Sequence, residues 1–309
     1  MKYDTAGDPI TGLKWTRKTT RKIAALLQAE GIVVGHNTVG KLLKQLNYSL
    51  KVNDKKLMSG IKDTPEKQAD KDKQFKYIGQ MRTQFAQQGA ASISVDTKKK
   101  ELIGNFKNPG KQWCIGALPV NDHDFRSDAI GIGIPYGIYD IDNNRGCVFV
   151  GTSKDTAFFA VDVIQRWWQI EGNTQYAPAR HLLILADSGG SNGYRLRAWK
   201  YAIQQQLCNR CGLSVTVCHY PPGKSKYNPI EHRLFSEISK NWAGMPLIDY
   251  ETMLNYIATT QTTKGLKVNA YFVGKQYETG RKISDNEFES INLHKHEVLP
   301  QWNYTITPH

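Results

Sequence analysis

Three carboxylates carry the chemistry most readily offered by this chain: Asp96 in SISVDTKKK, Asp187 in LLILADSGG and Glu231 in NPIEH. They lie 91 and 44 residues apart, so no single element can hold them and only a fold can bring them together. Three converging acids could bind two divalent ions, one activating water or a sugar hydroxyl and one steadying the leaving oxygen of a phosphodiester. Phosphoryl transfer asks little more of a protein than positioning and charge. Each acid also has a plainer reading. Asp96, followed by Thr97, suits a hairpin turn. Asp187 could accept backbone N–H groups of the SGGSNG loop, and Asn228, Pro229 and Glu231 have the spacing of a helical capping box. Glu237, six residues beyond Glu231, is the fallback third acid.

The elements that must position these acids can be read from pattern. The run HLLILA is apolar throughout and stops at Asp187 and glycines, as a strand buried on both faces does. ASISVDT reads as a strand ending near Asp96, KELIGNF as its hairpin partner, and residues 145–152, RGCVFVGT, as a third strand. Helices follow at about Asp155 to Ile170, with Phe158, Val161, Ile164 and Trp168 on one side, and at about Asn192 to Cys208. LSVTVCHY then reads as a strand, and a helix opens with NPIEH. Three early strands followed by alternating helix and strand describe an α/β protein with a mixed sheet flanked by helices, in the element order of the ribonuclease H fold.

Upstream, TRKIAALLQAE predicts a helix capped by Thr19 or Thr20 and ended by Gly31. TVGKLLKQL predicts a second, capped by Asn37, with Val39, Leu42, Leu43 and Leu46 inward and Lys41 and Lys44 outward. The pair reads as a small all-α helix-turn-helix region whose second helix would enter a major groove. Two helices that merely pack against the main domain are the plainer alternative. KYDTAGDPITGLKW, with Gly7, Pro9 and Gly12, cannot supply a preceding helix. A longer helix is expected from Thr64, with Pro65 in its first turn and Phe75, Ile78, Met81 and Phe85 on one side, until Gly89. The expected divisions are residues 1–50 for the helix-turn-helix region, 51–63 for a linker, 64–263 for the catalytic domain and 264–309 for a C-terminal tail packed on or beside the core.

Lys and Arg number 41 against 28 Asp and Glu, a surplus that points to a polyanionic partner, nucleic acid first. Residues 1–63 hold 12 basic and 5 acidic side chains, which places the binding end at the N-terminus. No segment approaches the roughly 18–20 continuous apolar residues of a membrane span, Met1 is followed by polar residues, and the five cysteines are scattered and odd in number. A cytoplasmic, nucleoid-associated protein without a membrane partner is expected.

Several long blocks carry a family resemblance: SVDTKKKELIGNFKNPGKQW, VNDHDFRSDAIGIGIPYGIYD, VFVGTSKDTAFFAVD, LILADSGGSNGYRLRAWK, VTVCHYPPGKSKYNPIEHRLFSEISKNWAG and LPQWNYTI. Together they resemble the DDE transposases of bacterial insertion sequences of the Rhodopirellula type, the ISAzo group, over nearly the whole chain. NPIE also resembles the helix bearing the third acid in mariner-like transposases. The resemblance implies a ribonuclease H-like core, Mg²⁺ or Mn²⁺ dependence with two ions per site, and cutting and joining of element ends by Asp96, Asp187 and Glu231. It implies double-stranded DNA, both transposon ends and target, as partner, and a homodimer or higher oligomer on that DNA. Family members usually begin well upstream of the GDP segment, so a chain starting at Met1 is expected to be a truncated element copy or a fragment. Tyr227 stands where tryptophan is expected before NPIE, a change that keeps a ring for stacking.

Charge supplies the supporting candidates. Lys98, Lys99 and Lys100 follow Asp96, Lys224 and Lys226 precede Glu231, and Arg195 and Arg197 follow Asp187; with Lys41 and Lys44 these could hold DNA phosphates, or be a solvated surface. His219, His232 and Asn228 are candidates to assist at the scissile phosphate. DSGG resembles the nucleophile loop of trypsin-like proteases, but those enzymes are all-β, and GKS at residues 223–225 lacks the earlier glycine of a phosphate loop. Cys208, Cys211, Cys218 and His219 have the residue types of a zinc site, yet without a second pair at finger spacing buried thiols are expected. Two other functions stay open on the residues alone: a nuclease of this fold that never joins strands, and a non-catalytic DNA-binding remnant of a transposase.

Overall fold

The computed structural model describes residues 5–7, 14–16, 18–49, 64–111 and 114–309. The expected linker, residues 51–63, lies outside the described residues. Two compact units emerge, Met1–Lys62 and Asp63–His309.

In the first unit two short strands, β1 (Thr5–Gly7) and β2 (Lys14–Thr16), pair antiparallel, a ribbon in place of a further helix. Helix α1 (Thr20–Ala29) starts where Thr19 accepts a hydrogen bond from Lys22 N at 3.2 Å, and the chain turns away at Gly31, φ +84°. Helix α2 (His36–Gln45) begins two residues earlier than expected: Gly35 is its N-cap and Asn37 lies inside it. Ile23 and Val39 are the buried pair joining α1 to α2. Leu42 and Leu46, expected inward, are exposed, while Leu43 is half-buried. Lys41 and Lys44 are exposed as expected.

The second unit opens with α3 (Pro65–Gln87), capped by Thr64 through Lys67 N at 3.3 Å and buried along Ile78, Met81 and Phe85. Strand β3 (Ala91–Thr97) follows, then the short β4 (Glu101–Ile103), β5 (Gly131–Asp140) and β6 (Arg145–Gly151). Helix α4 (Ala157–Trp167) runs through a π-helical stretch to the short α5 (Asn173–Gln175). Next come β7 (His181–Ala186), α6 (Arg197–Ala202, continued by π turns to Asn209), β8 (Ser214–His219) and α7 (Ser236–Asn241), preceded by a π turn from Glu231 to Phe235. The chain closes with α8 (Tyr250–Ala258), β9 (Lys267–Val273), α9 (Asp285–Glu289), β10 (Leu293–Lys295) and β11 (Asn303–Ile306).

The strands form one sheet in the order β10-β11-β8-β7-β3-β5-β6-β9, with β4 attached to β5. Its centre, β6-β5-β3-β7-β8, has β5 antiparallel to both neighbours and β3, β7 and β8 parallel, which is the ribonuclease H-like arrangement. One expectation needs correction. KELIGNF does not hairpin with β3: β4 pairs with β5, and β5, whose GIGIPYGIYD lacks a clean alternation, is the true antiparallel partner of β3. In residues 264–309, β9 extends the sheet beside β6 while β10 and β11 extend it beyond β8.

Alternation along β7 explains the layering. Leu182, Ile184 and Ala186 face α4 and α6, whereas Leu183 and Leu185 face α3 with Ile78, Met81 and Phe85. On that second face the segment from Ile230 to Ile238 packs with α8 over Val148, Val150 and Val268. Among the described residues no helix is long and apolar enough to cross a membrane.

Candidate active site

The central strands bring the first two acids together by register. Val95 is paired with Ala186 across β3 and β7, so Asp96 and Asp187 each stand one residue past the last pair, at the same end of adjacent parallel strands. On its other side Asp96 is paired with Gly137 of β5. A Cβ at Gly137 would fall 2.5 Å from a ring carbon of Phe235 and 2.8 Å from Ile230 Cδ1, and a Cβ at Gly146 would strike Leu234. The two glycines therefore let the segment bearing Glu231 lie directly on β5 and β6, next to the strand of Asp96.

Asn228 ties that segment to Asp187 and to β3, the strand of Asp96. Its Nδ2 donates to Asp187 Oδ1 at 3.0 Å and to Val95 O at 3.3 Å, its Oδ1 accepts from Ser94 Oγ, and Ser94 Oγ accepts from Ile230 N at 3.1 Å. The capping-box alternative for Glu231 thus fails: the Asn228 side chain is engaged with β3 and Asp187, and no side chain caps the turn at Glu231. Asp187 likewise accepts from Asn228 rather than from N–H groups of its loop. Asp96 keeps one local bond, from Thr97 N at 2.7 Å, but no hairpin lies beside it.

Electrostatics couple the three acids. Burial first and the Asp187 charge second push Asp96 up to about 8, with Glu231 and Asp155 adding to the effect. Burial raises Asp187 to about 6, against the Asn228 bond that lowers it. Glu231 is raised by burial, while His232 and Lys98 draw it back. Glu237 instead pairs with Lys240 at 2.7 Å and has no part in the electrostatics of Asp96 or Asp187, so the fallback acid lies outside the group.

Among the described residues no three of His, Cys, Asp and Glu close into a ready ligand cage. The donors still fit a hard cation. They are oxygens only, they oppose each other's charge, and Mg²⁺ keeps several waters while binding through one or two carboxylates. Asp155, which the sequence reading missed, accepts from Thr97 Oγ1 at 3.1 Å and adds a fourth negative group. Ser94 was also missed, although its place two residues before Asp96 puts both on one face of β3.

Asp96 and Asp187 open onto a cleft of about 560 Å³ that is also lined by Ser188, Arg195, Pro221 and Gly223. Its floor is tied down: Ser188 Oγ donates to Tyr220 O, Tyr136 OH donates to Asn192 Oδ1 at 2.7 Å, and Gly190 takes φ +68°. His219 is fully buried and pushed down to about 4, chiefly by burial; its ring meets Asp187 O at 2.9 Å and Tyr304 OH at 3.1 Å. It supports the backbone at Asp187 and does not reach the cleft as an assisting group. His232 is exposed and bonded to Lys226 O.

The cations divide. Lys98 turns inward, 9% exposed, with its Nζ 3.3 Å from Glu101 Oε1 and 4.5 Å from the centre of the Trp242 ring, so it cannot join an exposed phosphate-binding run. Arg197 pairs with Asp285 at 2.5 Å. Lys99, Lys100, Arg195 and Lys226 are exposed, Lys224 is half-buried, and Lys224 and Lys226 flank the Tyr227 ring. Of the cysteines, Cys208 Sγ donates to Ile306 O and Cys211 Sγ to Gln206 O.

The sequence profile described as the Rhodopirellula transposase DDE domain matches residues 1–308. No curated protein sequence matches. Among solved structures, the Mos1 transposase paired-end complex with left transposon end is similar at a TM-score of 0.46 and 12% identity, covering 78% of this chain and 65% of that one. The mariner Mos1 paired end complex with Mn gives 0.43 and 13%, covering 78% and 65%, and a pre-cleavage Mos1 transpososome gives 0.44 and 14%, covering 82% and 72%. The chain thus spans about 65% of the length of the first two Mos1 chains.

Proposed function

The chain belongs to the Rhodopirellula transposase DDE-domain family, and on that premise we propose that it cleaves DNA at insertion-sequence ends and joins the released 3′-hydroxyl to target DNA. The observation supporting this reading is geometric: Asp96 and Asp187 stand side by side at the ends of β3 and β7 and line one cleft, and Asn228, three residues before Glu231, donates to Asp187 Oδ1 at 3.0 Å. Asp96 and Asp187 would hold Mg²⁺ or Mn²⁺, with Glu231 completing the site for two ions. When bound, these ions supply a nucleophile at neutral pH and charge stabilisation at the phosphorus.

The chain's own residues do the rest. Asn228 and Ser94 keep the three acid-bearing segments in register, and His219 fixes the backbone at Asp187. Arg195, at the rim of the cleft, and the exposed Lys99, Lys100 and Lys226 would hold the DNA backbone on either side of the scissile phosphate. The N-terminal unit, with Lys41 and Lys44 exposed on α2, would read double-stranded DNA as a helix-turn-helix. Because two ends must be joined, the working form is a homodimer or higher oligomer on DNA, in the cytoplasm with the nucleoid.

The test is an assay of purified protein on duplexes carrying the element ends, with Mg²⁺ or Mn²⁺. Cleaved ends and strand-transfer products are expected from the wild type, and neither from Asp187→Ala. Cleavage that survives Asp187→Ala would sink the mechanism, and hydrolysis without any joined product would reduce the protein to a nuclease.

A further inference from the structure

Beside the acid-lined cleft lies a second cavity, bounded by Lys67 and Lys71 of α3, by Arg195 and Pro222 from the two cleft loops, and by Gln301 and Trp302 just before β11. It shares Arg195 and Pro222 with the cleft, so the two are adjacent along one surface. Lys67 and Arg195 bring exposed positive charge to it, Lys71 lies buried in its wall, and Asp70 is the one carboxylate among its lining residues. Lys67 and Lys71 are one helical turn apart and so share a face of α3.

Trp302 adds an independent sign of a ligand. The residue is 9% exposed, and its indole Nε1 is buried with no hydrogen-bond partner. Buried N–H groups left unpaired are rare, and an indole N–H can only donate. Cations and an idle donor together call for an anion with several acceptor oxygens, and Arg195, whose Nε is already held by Tyr194 OH at 2.9 Å, still presents its terminal N–H groups.

We propose that this cavity is a phosphate subsite for the backbone of the DNA strand as it leaves the catalytic cleft, with Arg195 between the two sites and Trp302 as a neutral donor. The proposal rests on the DNA-cleaving reading above. It assigns a binding role to the first turns of α3 and to the Gln301–Trp302 corner, so the C-terminal segment does more than extend the sheet.

The test is a titration of labelled duplex DNA with the full chain over a series of salt concentrations. Lys67 is exposed and its loss should leave the fold intact; Lys67→Ala is expected to weaken binding several-fold and to lower the salt slope by about 0.9, the value of one phosphate contact. Trp302→Phe is expected to weaken binding while leaving the slope unchanged, with a thermal melt to check folding. Wild-type binding that neither variant alters in affinity or slope overturns the subsite alone. Absence of wild-type DNA binding at low salt overturns the DNA reading as well.

Discussion

Asn228 Nδ2 stands 3.0 Å from Asp187 Oδ1, and through the same side chain Asp187 is linked to Ser94, two residues before Asp96. One amide therefore fixes the third-acid segment against the strands of the other two. Removing it leaves buried partners unsatisfied, which costs about 1–3 kcal/mol per group. Asn228→Ala is expected to lose stability of that order in a denaturant melt and to slow end cleavage about 10- to 100-fold at saturating Mg²⁺. The bond also lowers the proton affinity of Asp187, so the acid limb of the pH–rate profile should move to higher pH in the variant. A cleavage rate within twofold of wild type would remove Asn228 from the positioning machinery.

Glu231 and Glu237 separate cleanly. Glu231 shares the electrostatic field of Asp96 and Asp187, whereas Glu237 is paired with Lys240. Glu231→Gln keeps the shape of the side chain and removes its charge, and a loss of at least about 100-fold in cleavage is expected, a typical cost of removing one group that stabilises transition-state charge. Glu237→Gln should stay within about threefold, because an exposed ion pair contributes little. Equal losses in the two variants would overturn the assignment of the third acid.

Gly137 is expected to be intolerant of side chains for a reason remote from its own chemistry. A Cβ there meets Phe235 and Ile230, so Gly137→Val must lift the segment that carries Glu231 off β5. Overpacking of this kind costs about 1–3 kcal/mol, and cleavage should fall further than that stability loss explains, since Glu231 moves with the segment. Cleavage that follows the folded fraction alone, measured by circular dichroism at the assay temperature, would refute a positioning effect.

Asp187 announces itself in the sequence because a run buried on both faces ends on a charge, and the structure gives it the exit of β7. Helices α1, α3 and α4 are equally legible from apolar spacing, and the first two also from Thr19 and Thr64 at their starts. Strand β5 is not. GIGIPYGIYD spends its glycines on close packing, at Gly137 and at Gly133 beneath Met253, and so loses the alternation that marks a strand. The same loss misassigned β4, whose partner was invisible. Lys98 illustrates a second limit: three consecutive lysines look alike, yet strand geometry turns the first one inward onto Trp242 and Glu101. Asn228 shows a third. A capping box and an inter-strand tether use the same NPIE spacing, and only the position of β3 decides between them.

The two aspartates make a prediction about pH and metal together. Burial above all, with the Asp187 charge acting on Asp96 and the Glu231 charge on both, holds Asp96 at about 8 and Asp187 at about 6, well above an ordinary carboxyl near 4. The folded protein therefore keeps protons that the unfolded chain gives up. Between about pH 4 and 8 the unfolded state binds fewer protons, so without metal the stability these groups contribute falls as pH rises through that window. Each tenfold difference in proton affinity is worth about 1.4 kcal/mol, and Asp96 alone should cost on the order of 2 kcal/mol between pH 6 and 8. In chelator, the wild-type Tm should therefore drop over that interval, and Asp96→Asn, which carries no charge to repel, should show a flatter profile and a higher Tm at pH 8. Mn²⁺ should raise the wild-type Tm, more at pH 8 than at pH 6, because protons compete for the same oxygens. Matching pH profiles for wild type and Asp96→Asn, or a wild-type Tm indifferent to Mn²⁺, would show that Asp96 does not carry the charge this site is built around.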